Sequence, residues 1–178
     1  LWAVTYKCEV RSMTKKEIKT DKYIITKTEI DEMAGLEKTH FLNDNAKRVN
    51  KSLGDLTGLT GLGFHIIEVP VGCVSTEHHK HYFEDECVYI LEGSATAYIG
   101  EEQFSVGCGD FIGYRAGGEA HHLVNDGDET LKVIVVGERL AHDVGDYPHL
   151  KKRIYRNKGQ AWDLVDLEDI NHPVAGKK

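Results

Sequence analysis

The chain lacks a long hydrophobic run, an excess of positive charge and a signal-peptide pattern. Its apolar runs, such as Cys87–Leu91 and Val133–Val136, are far shorter than the roughly 20 residues that a membrane-spanning helix needs. The formal net charge is −7, which argues against nucleic acids and anionic membranes as partners, because both are recognised by basic patches. Leu1–Val4 is followed by polar residues rather than by an apolar leader segment. These absences predict a cytoplasmic protein.

Cysteine is scarce, and several catalytic motifs are missing. The cysteines are irregularly spaced and form no C-x-x-C pair, so we expect free thiols and no cysteine-only zinc site. They are Cys8, Cys73, Cys87 and Cys108. The sequence also has no glycine-rich phosphate loop, no serine nucleophile elbow and no H-E-x-x-H zinc motif. Phosphoryl transfer and serine hydrolysis are therefore poor hypotheses for this chain.

Glycine, in contrast, is frequent, and the 18 glycines separate short segments rich in Val, Ile, Phe and Tyr. Such segments predict β-strands. We place strands at Tyr23–Thr28, Leu62–Val69, Cys87–Leu91, Ala95–Ile99, Asp110–Tyr114, His121–Asn125 and Leu131–Gly137. From Cys87 onward they start about 8–12 residues apart, which is typical of a β-sandwich or barrel. Helical character is weak and is limited to Asp44–Leu53 and Ala161–Ile170.

This pattern predicts one all-β domain over residues 20–157, with its core at 60–137. Residues 1–19 are predicted to be an N-terminal extension, disordered or in part left from cloning, since the first methionine is Met13. Residues 158–178 are predicted to be a C-terminal tail with irregular or helical character. A chain of 178 residues is long enough for one hydrophobic core and gives no reason to expect two domains.

The densest chemical signal is the segment His78–Glu86, with the sequence H-H-K-H-Y-F-E-D-E. His79 and His81 lie two residues apart, so on an extended strand both side chains point to the same face. A carboxylate from the next strand can then complete three ligands around one ion. Imidazole and carboxylate together suit Zn, Fe, Mn, Ni or Cu. A solvated polar loop with surface histidines is the alternative interpretation.

Two motifs around this segment resemble those of the cupin superfamily. The first runs from Gly72 through His79-x-His81 and Glu86 to Gly93. The second runs Gly109-Asp110…Arg115-x-Gly117…His121-x3-Asn125. The resemblance covers about residues 60–137 and implies an all-β double-stranded β-helix, a jelly-roll barrel that protects its sheet edges by wrapping.

Carried over residue by residue, the resemblance implies four ligands for one divalent ion, Fe, Mn, Ni or Zn. They are His79, His81, Glu86 and His121. Such a set leaves two positions of an octahedral ion for substrate or water. The spacing departs from the family pattern by one residue in each motif, so His78 and His122 remain rivals for the first and last ligands. Same-face alternation favours His79, and the His-x3-Asn spacing favours His121.

Other residues are weaker candidates. His65 lies in an apolar strand before the first motif, and Tyr89 lies in the strand after it; both are candidates for acid–base catalysis, although core packing is the alternative. Glu84 is expected to be solvated. We expect a structured surface turn, available to an oligomer interface, at His142, Asp143 and Asp146.

The function that follows is a small metal-dependent cupin that acts on or binds an organic acid or a sugar-like molecule. Further sequence features resemble bacterial single-domain cupins labelled sugar-phosphate isomerase-like. Isomerase, dioxygenase and lyase chemistry all fit, and a non-catalytic binding or sensing module is the alternative. A homodimer is expected by family analogy, with the predicted strand Tyr23–Thr28 pairing with a neighbour's sheet.

Overall fold

The computed structural model describes residues 22–176, so the predictions for residues 1–19 and for Cys8 lie outside the described residues. Helix α1 is Lys27–Glu32 and helix α2 is Leu53–Leu56; 3-10 turns follow at Pro148–Leu150 and Leu167–Asp169. The strands are β1 Leu36–His40, β2 Asn43–Ser52, β3 Leu62–Val69, β4 Lys80–His81, β5 Glu86–Glu92, β6 Ser94–Ile99, β7 Glu102–Gly107, β8 Phe111–Tyr114, β9 His121–Val124, β10 Leu131–Glu138, β11 His142–Tyr147, β12 Lys152–Asn157 and β13 Asp163–Asp166.

The strands form three antiparallel sheets. Their orders are β1-β2-β3-β10-β5-β8, β13-β12-β11-β4 and β7-β6-β9. His79, directly before β4, forms a bridge with His121 of β9, so the two smaller sheets meet at this pair and together face the six-stranded sheet. The prediction of an all-β double-stranded β-helix is confirmed.

The inward faces of the strands divide the barrel into an apolar half and a polar half. In β5, Ile90 and Val88 are buried in the hydrophobic core, and the next residue on the same face is Glu86. In β9, Leu123 is in the core and His121 follows on its face. Because side chains alternate along a strand, the strands that build the core also carry polar side chains into the barrel beyond it.

Two of the secondary-structure predictions are wrong. Residues 22–26 are not a strand; Lys27–Glu32 is a helix whose start is fixed by a capping box between Thr26 and Glu29. The segment with weak helical character, Asp44–Leu53, lies almost entirely in strand β2, because pairing with β1 and β3 outweighs local propensity. The homodimer remains a prediction by family analogy only, since the segment expected to mediate it is not a strand.

The C-terminal region differs less from expectation. Within Ala161–Ile170 the structure has the short strand β13 and a 3-10 turn. Cys73, Cys87 and Cys108 are free thiols. Among residues 22–176, no helix is both long and apolar enough to cross a membrane.

Candidate metal centre

The polar half of the barrel encloses a cavity of about 1040 Å³. His79, His81 and His121 line it from the two smaller sheets, and Glu86 lines it from the six-stranded sheet. The ring centroids of His79 lie 4.9 Å from those of His81 and 4.8 Å from those of His121. Glu86 Oε1 lies 3.7 Å from His121 Nε2. The structure thus brings all four sequence-predicted metal ligands together, and we refer to them as the ligand group.

Each histidine of the ligand group has its Nδ1 atom bound to an oxygen that can only accept a hydrogen bond. His79 Nδ1 lies 2.9 Å from the Glu77 carbonyl, and His121 Nδ1 lies 3.2 Å from the Glu119 carbonyl. His81 Nδ1 lies 2.7 Å from a carboxylate oxygen of Asp143, which is closer than the 3.3 Å to Arg156 Nη2. In the neutral rings each Nδ1 therefore carries the proton, which leaves every Nε2 with a free lone pair, as in histidines that bind metals.

In these neutral tautomers, none of the three Nε2 atoms carries a proton that it could donate. His121 Nε2 is buried and has no hydrogen-bond partner, while His79 Nε2 lies 3.1 Å from His81 Nε2. Two lone pairs at that distance repel each other unless a cation lies near both. Adjacent nitrogen ligands at about 2.1 Å from one ion are about 3 Å apart. The residues present therefore fit a divalent metal ion.

The protonation states agree with this arrangement. Burial, followed by the nearby His121 and His81 rings, lowers the pKa of His79 to about 3. Burial by itself raises the pKa of Glu86, but the surrounding imidazoles outweigh it and lower that pKa to about 2. Near neutral pH, the group consists of a neutral His79 and an ionised Glu86, which are the forms that bind metals.

The rival histidines contact each other. His78 Nδ1 lies 2.9 Å from His122 Nδ1. The His78 ring also stacks on His149, and the His122 ring stacks on Tyr98. Burial, and then the neighbouring His78, lowers the pKa of His122 to about 4. These contacts favour His79 and His121 as the members of the ligand group.

The two acid–base candidates are in different places. His65 in β3 lines the cavity. Burial, followed by the charge of Arg139, lowers the pKa of His65. Its Nδ1 lies 3.4 Å from the amide nitrogen of Asn50. Tyr89 is 43% exposed and alternates with the buried Val88 and Ile90, so it points away from the barrel interior. Tyr89 is not among the residues that line the cavity, so its position does not support a role in acid–base catalysis there.

A second polar group meets the first at His81. Ligand atoms of His81, Glu84 and Asp143 lie within 4.8 Å of one another. The Arg156 guanidinium lies among them: its Nη2 hydrogen-bonds to Glu84 and is 2.6 Å from Asp143 Oδ2. The remaining oxygens accept backbone N–H groups of Phe83 and Leu140. We call His81, Glu84, Asp143 and Arg156 the arginine group; its cation is already supplied by the protein.

The expectations for Glu84 and Asp143 are therefore wrong. Glu84 is buried rather than solvated, and Asp143 is 2% exposed in strand β11 rather than in a surface turn. Both partners of Glu84, Leu140 and Arg156, lie more than fifty residues away in the chain, and so do His81 and Phe83, which bind Asp143. Only the Asp143–Arg156 pair is closer in sequence, 13 residues apart across the β11–β12 hairpin. Val144 and Tyr147, whose residue types favour strands, are the signal in this segment that could have suggested a strand.

Tyr114 is a further cavity residue that sequence reasoning missed. Its ring stacks on His121 with centroids 3.6 Å apart, and its buried hydroxyl has no hydrogen-bond partner. Burial, and then the charge of Glu86, raises the pKa of Tyr114, so the hydroxyl stays protonated and can donate. Tyr114 holds one face of His121 and offers a proton donor near Glu86.

Comparisons with known proteins agree with the sequence motifs. Residues 65–137 match the Cupin domain family. A crystal structure from Acidithiobacillus ferrooxidans, provisionally described as a sugar phosphate isomerase, is 47% identical and covers 85% of this chain and 97% of its own, with a TM-score of 0.82. The chain belongs to the cupin superfamily.

Two further relatives are more distant. A cupin-superfamily sugar phosphate isomerase from Silicibacter pomeroyi is 22% identical, with a TM-score of 0.71 over 79% of this chain and 92% of its own, which shows a shared fold. The uncharacterized protein MJ1618 of Methanocaldococcus jannaschii is 41% identical over 66 residues, or 37% of this chain. The chain spans about half of that protein, 51% of its length.

Proposed function

We propose that this cupin binds one divalent ion, Fe, Mn, Ni or Zn, through His79, His81, Glu86 and His121, and that it acts on a small sugar-like or organic acid ligand in the cavity. The observation that carries the proposal is the set of free Nε2 lone pairs. All three histidines use Nδ1 as a donor, so their remaining nitrogens are available only to a cation or to a ligand's proton donor.

A bound ion would supply Lewis-acid polarisation of a carbonyl, hydroxyl or carboxylate oxygen. The chain's own residues would do the rest. Asp143 and two backbone carbonyls orient the imidazoles, and the Tyr114 hydroxyl is positioned to donate to a ligand oxygen. A cavity of about 1040 Å³ is large enough for a small metabolite, since small-molecule sites are typically about 300–1,000 Å³.

The reaction class we favour for a first assay is isomerisation of a sugar phosphate. The support is the provisional description of the relative that is 47% identical over 85% of this chain. Dioxygenase and lyase chemistry use the same kind of centre. Binding without turnover is the alternative. A ligand that binds the protein but is converted in none of the assays would favour it.

The first experiment is elemental analysis of the purified chain. We expect about one equivalent of metal in the wild type, in line with one ligand group. The variant His79→Ala/His121→Ala removes two ligands and is expected to contain none. The matched control is His78→Ala/His122→Ala, which removes the same number of histidines from the neighbouring pair and is expected to keep the metal.

Three outcomes would contradict the proposal. The first is a wild type without metal even after reconstitution with each of the four ions. The second is full metal content in His79→Ala/His121→Ala. The third is loss of metal in the control pair only, which would move the site to His78 and His122. The ion found then selects the assay, with oxygen consumption for iron and isomerase or lyase screens for the others.

A further inference from the structure

One of the arginines in the cavity wall, Arg48, has no carboxylate partner within the described residues. Arg48 lies in β2 and lines the cavity together with Asn50, the next residue on its face. Its cross-strand neighbour in β1 is Lys38, which also lines the cavity. Both strands precede the part of the chain that matches the Cupin domain family, so the family motifs account for neither residue.

The hydrogen bonds of Arg48 leave most of its guanidinium unused. It donates from Nη1 to the Ser75 carbonyl, whereas its buried Nε has no hydrogen-bond partner. A guanidinium has five N–H donors. Within residues 22–176, no Asp or Glu oxygen lies within 4.0 Å of the Arg48 guanidinium, judged by the ion pairs that are present. Arg48 therefore has donors available for a ligand.

Three other arginines of the barrel each have a carboxylate partner, and Arg115, for which no ion pair is found, is exposed. Arg139 pairs with Asp55, and Arg153 pairs with Asp146. Arg156 pairs with both carboxylates of the arginine group. A charge that is partly removed from water without gaining an ion pair is destabilising. Arg48 is half-buried in the cavity wall, so an anion that enters the cavity can supply the missing partner.

Other cations lie near Arg48 in a protein whose net charge is −7. Burial is the main cause that lowers the pKa of Lys38, and the charge of Arg48 lowers it further. Burial and then Arg139 lower the pKa of His65, with smaller contributions from Lys38 and Arg48. Burial lowers the pKa of Arg48 itself, and the charge of Glu86 in the ligand group partly opposes that effect. Arg48 and the ligand group therefore belong to one cavity and interact electrostatically.

The buried unpartnered side-chain atoms point the same way. In the described part of the chain they are Arg48 Nε, the Tyr114 hydroxyl and His121 Nε2. All three side chains line this one cavity. Buried polar groups are nearly always satisfied in folded proteins, so unsatisfied groups around one cavity distinguish this part of the barrel from the packed core.

We propose that Arg48, assisted by Lys38, is an anion subsite that binds an oxyanion group of the ligand, a phosphate or a carboxylate, while another oxygen of the same ligand reaches the ligand group. The inference rests on the proposed function for the second contact, but the subsite itself does not require a metal. A guanidinium matches the oxygens of either anion bidentately. His65 lines the same cavity as Arg48 and Lys38 and would be a neighbour of the bound anion.

The test uses the full chain, with metal and after removal of metal by a chelator. Calorimetric titrations with inorganic phosphate and with malonate compare the wild type with Arg48→Met, Arg48→Lys and Arg115→Met. Arg115 is exposed and does not line the cavity, so its replacement is the matched control. The chelated protein is decisive, because an anion cannot then bind to a metal instead.

We expect the chelated wild type to bind at least one of the two anions. Arg48→Met is expected to weaken that binding at least tenfold, Arg48→Lys less, and Arg115→Met not measurably. Whichever anion binds more tightly identifies the charged group of the ligand. Without anion, Arg48→Met is expected to have a thermal midpoint at or above that of the wild type, since a half-buried charge without an ion pair is removed.

Two results would overturn the subsite. One is failure of both anions to bind the chelated wild type. The other is unchanged binding in Arg48→Met, which would reduce Arg48 to a support for the Ser75 carbonyl. Metal analysis of the same samples separates the two proposals: anion binding without metal content would contradict the metal site alone, and metal content without anion binding would contradict the subsite alone.

Discussion

The ligand group and the arginine group share His81 and both combine histidine with carboxylates, yet only the arginine group contains a cation. In the arginine group, Glu84 and Asp143 are neutralised by Arg156 and by backbone N–H groups. In the ligand group, His121 Nε2 has no partner, and the lone pairs of His79 and His81 face each other. Histidine and carboxylate content alone therefore does not identify a metal site; the decisive property is whether a cation is already present.

His81 belongs to both groups, and the contacts around it show that the groups have different roles. Asp143 accepts the Nδ1 proton of His81, and Arg156 holds Asp143 in place. The arginine group thus acts as a support that fixes the tautomer and orientation of one ligand of the other group. The comparison predicts that changes in the arginine group reduce stability, whereas removing unsatisfied atoms from the cavity does not.

The largest effect is expected for Arg156→Met. This change leaves Glu84 and Asp143 buried without their common cation, and breaking a buried pair in this way costs about 3–5 kcal/mol. Urea unfolding of the chelated protein measures the free energy of unfolding. The exposed Arg115→Met is the control, with a change within about 0.5 kcal/mol. A loss for Arg156→Met no larger than the control would show that the two groups do not differ in this way.

The next effect concerns metal binding. Asp143→Asn is expected to weaken metal affinity about 10–100-fold, because the His81 tautomer is no longer fixed by a carboxylate. Glu84→Gln is the matched control, since Glu84 contacts Arg156 and not His81, and it should retain affinity close to that of the wild type. Competition with a chromophoric chelator measures both. Equal losses in the two variants would contradict a specific role for Asp143.

The third effect concerns the arginine group, whose contribution to the free energy of unfolding is expected to fall at acid pH. Burial alone raises the pKa of Asp143, but its bonds to His81 and Arg156 lower it to about 2, from about 3.9 in an unfolded chain. A lowered folded-state pKa stabilises the protein above the unfolded value, and the contribution of about 2 kcal/mol is lost as pH falls from about 4 towards 2. Unfolding free energies of chelated wild type and Asp143→Asn across that range test this; parallel curves would count against it.

The smallest effect, and one of opposite sign, is expected in the cavity. Tyr114→Phe keeps the ring that stacks on His121 and removes a buried hydroxyl without a partner. Stability is expected to stay equal or to rise by up to about 1 kcal/mol, with metal content unchanged. Tyr89→Phe, on the outer face, is the control. A clear loss of stability in Tyr114→Phe would mean that the hydroxyl is satisfied in the protein.

Local pattern made part of this molecule predictable. The strands Leu62–Val69 and Leu131–Gly137 agree closely with β3 and β10, because alternation and β-propensity are properties of short segments. The spacing of His79 and His81 likewise predicted a shared face. Asp44–Leu53 was misjudged for the converse reason: its polar residues carry little strand signal, and its pairing with β1 and β3 is what makes it a strand.

The sequence by itself determined the cupin motifs, the all-β class and the candidate ligands His79, His81, Glu86 and His121, since each depends on residue type and short spacing. Only the tertiary structure decided that Arg156 neutralises Glu84 and Asp143, and that Arg48 faces the same cavity without a carboxylate. Apart from the Asp143–Arg156 pair of the β11–β12 hairpin, these relations join parts of the chain that are distant in sequence. Charge pairing depends on distance in space, and the order of strands in the sheets, rather than any local pattern, sets that distance.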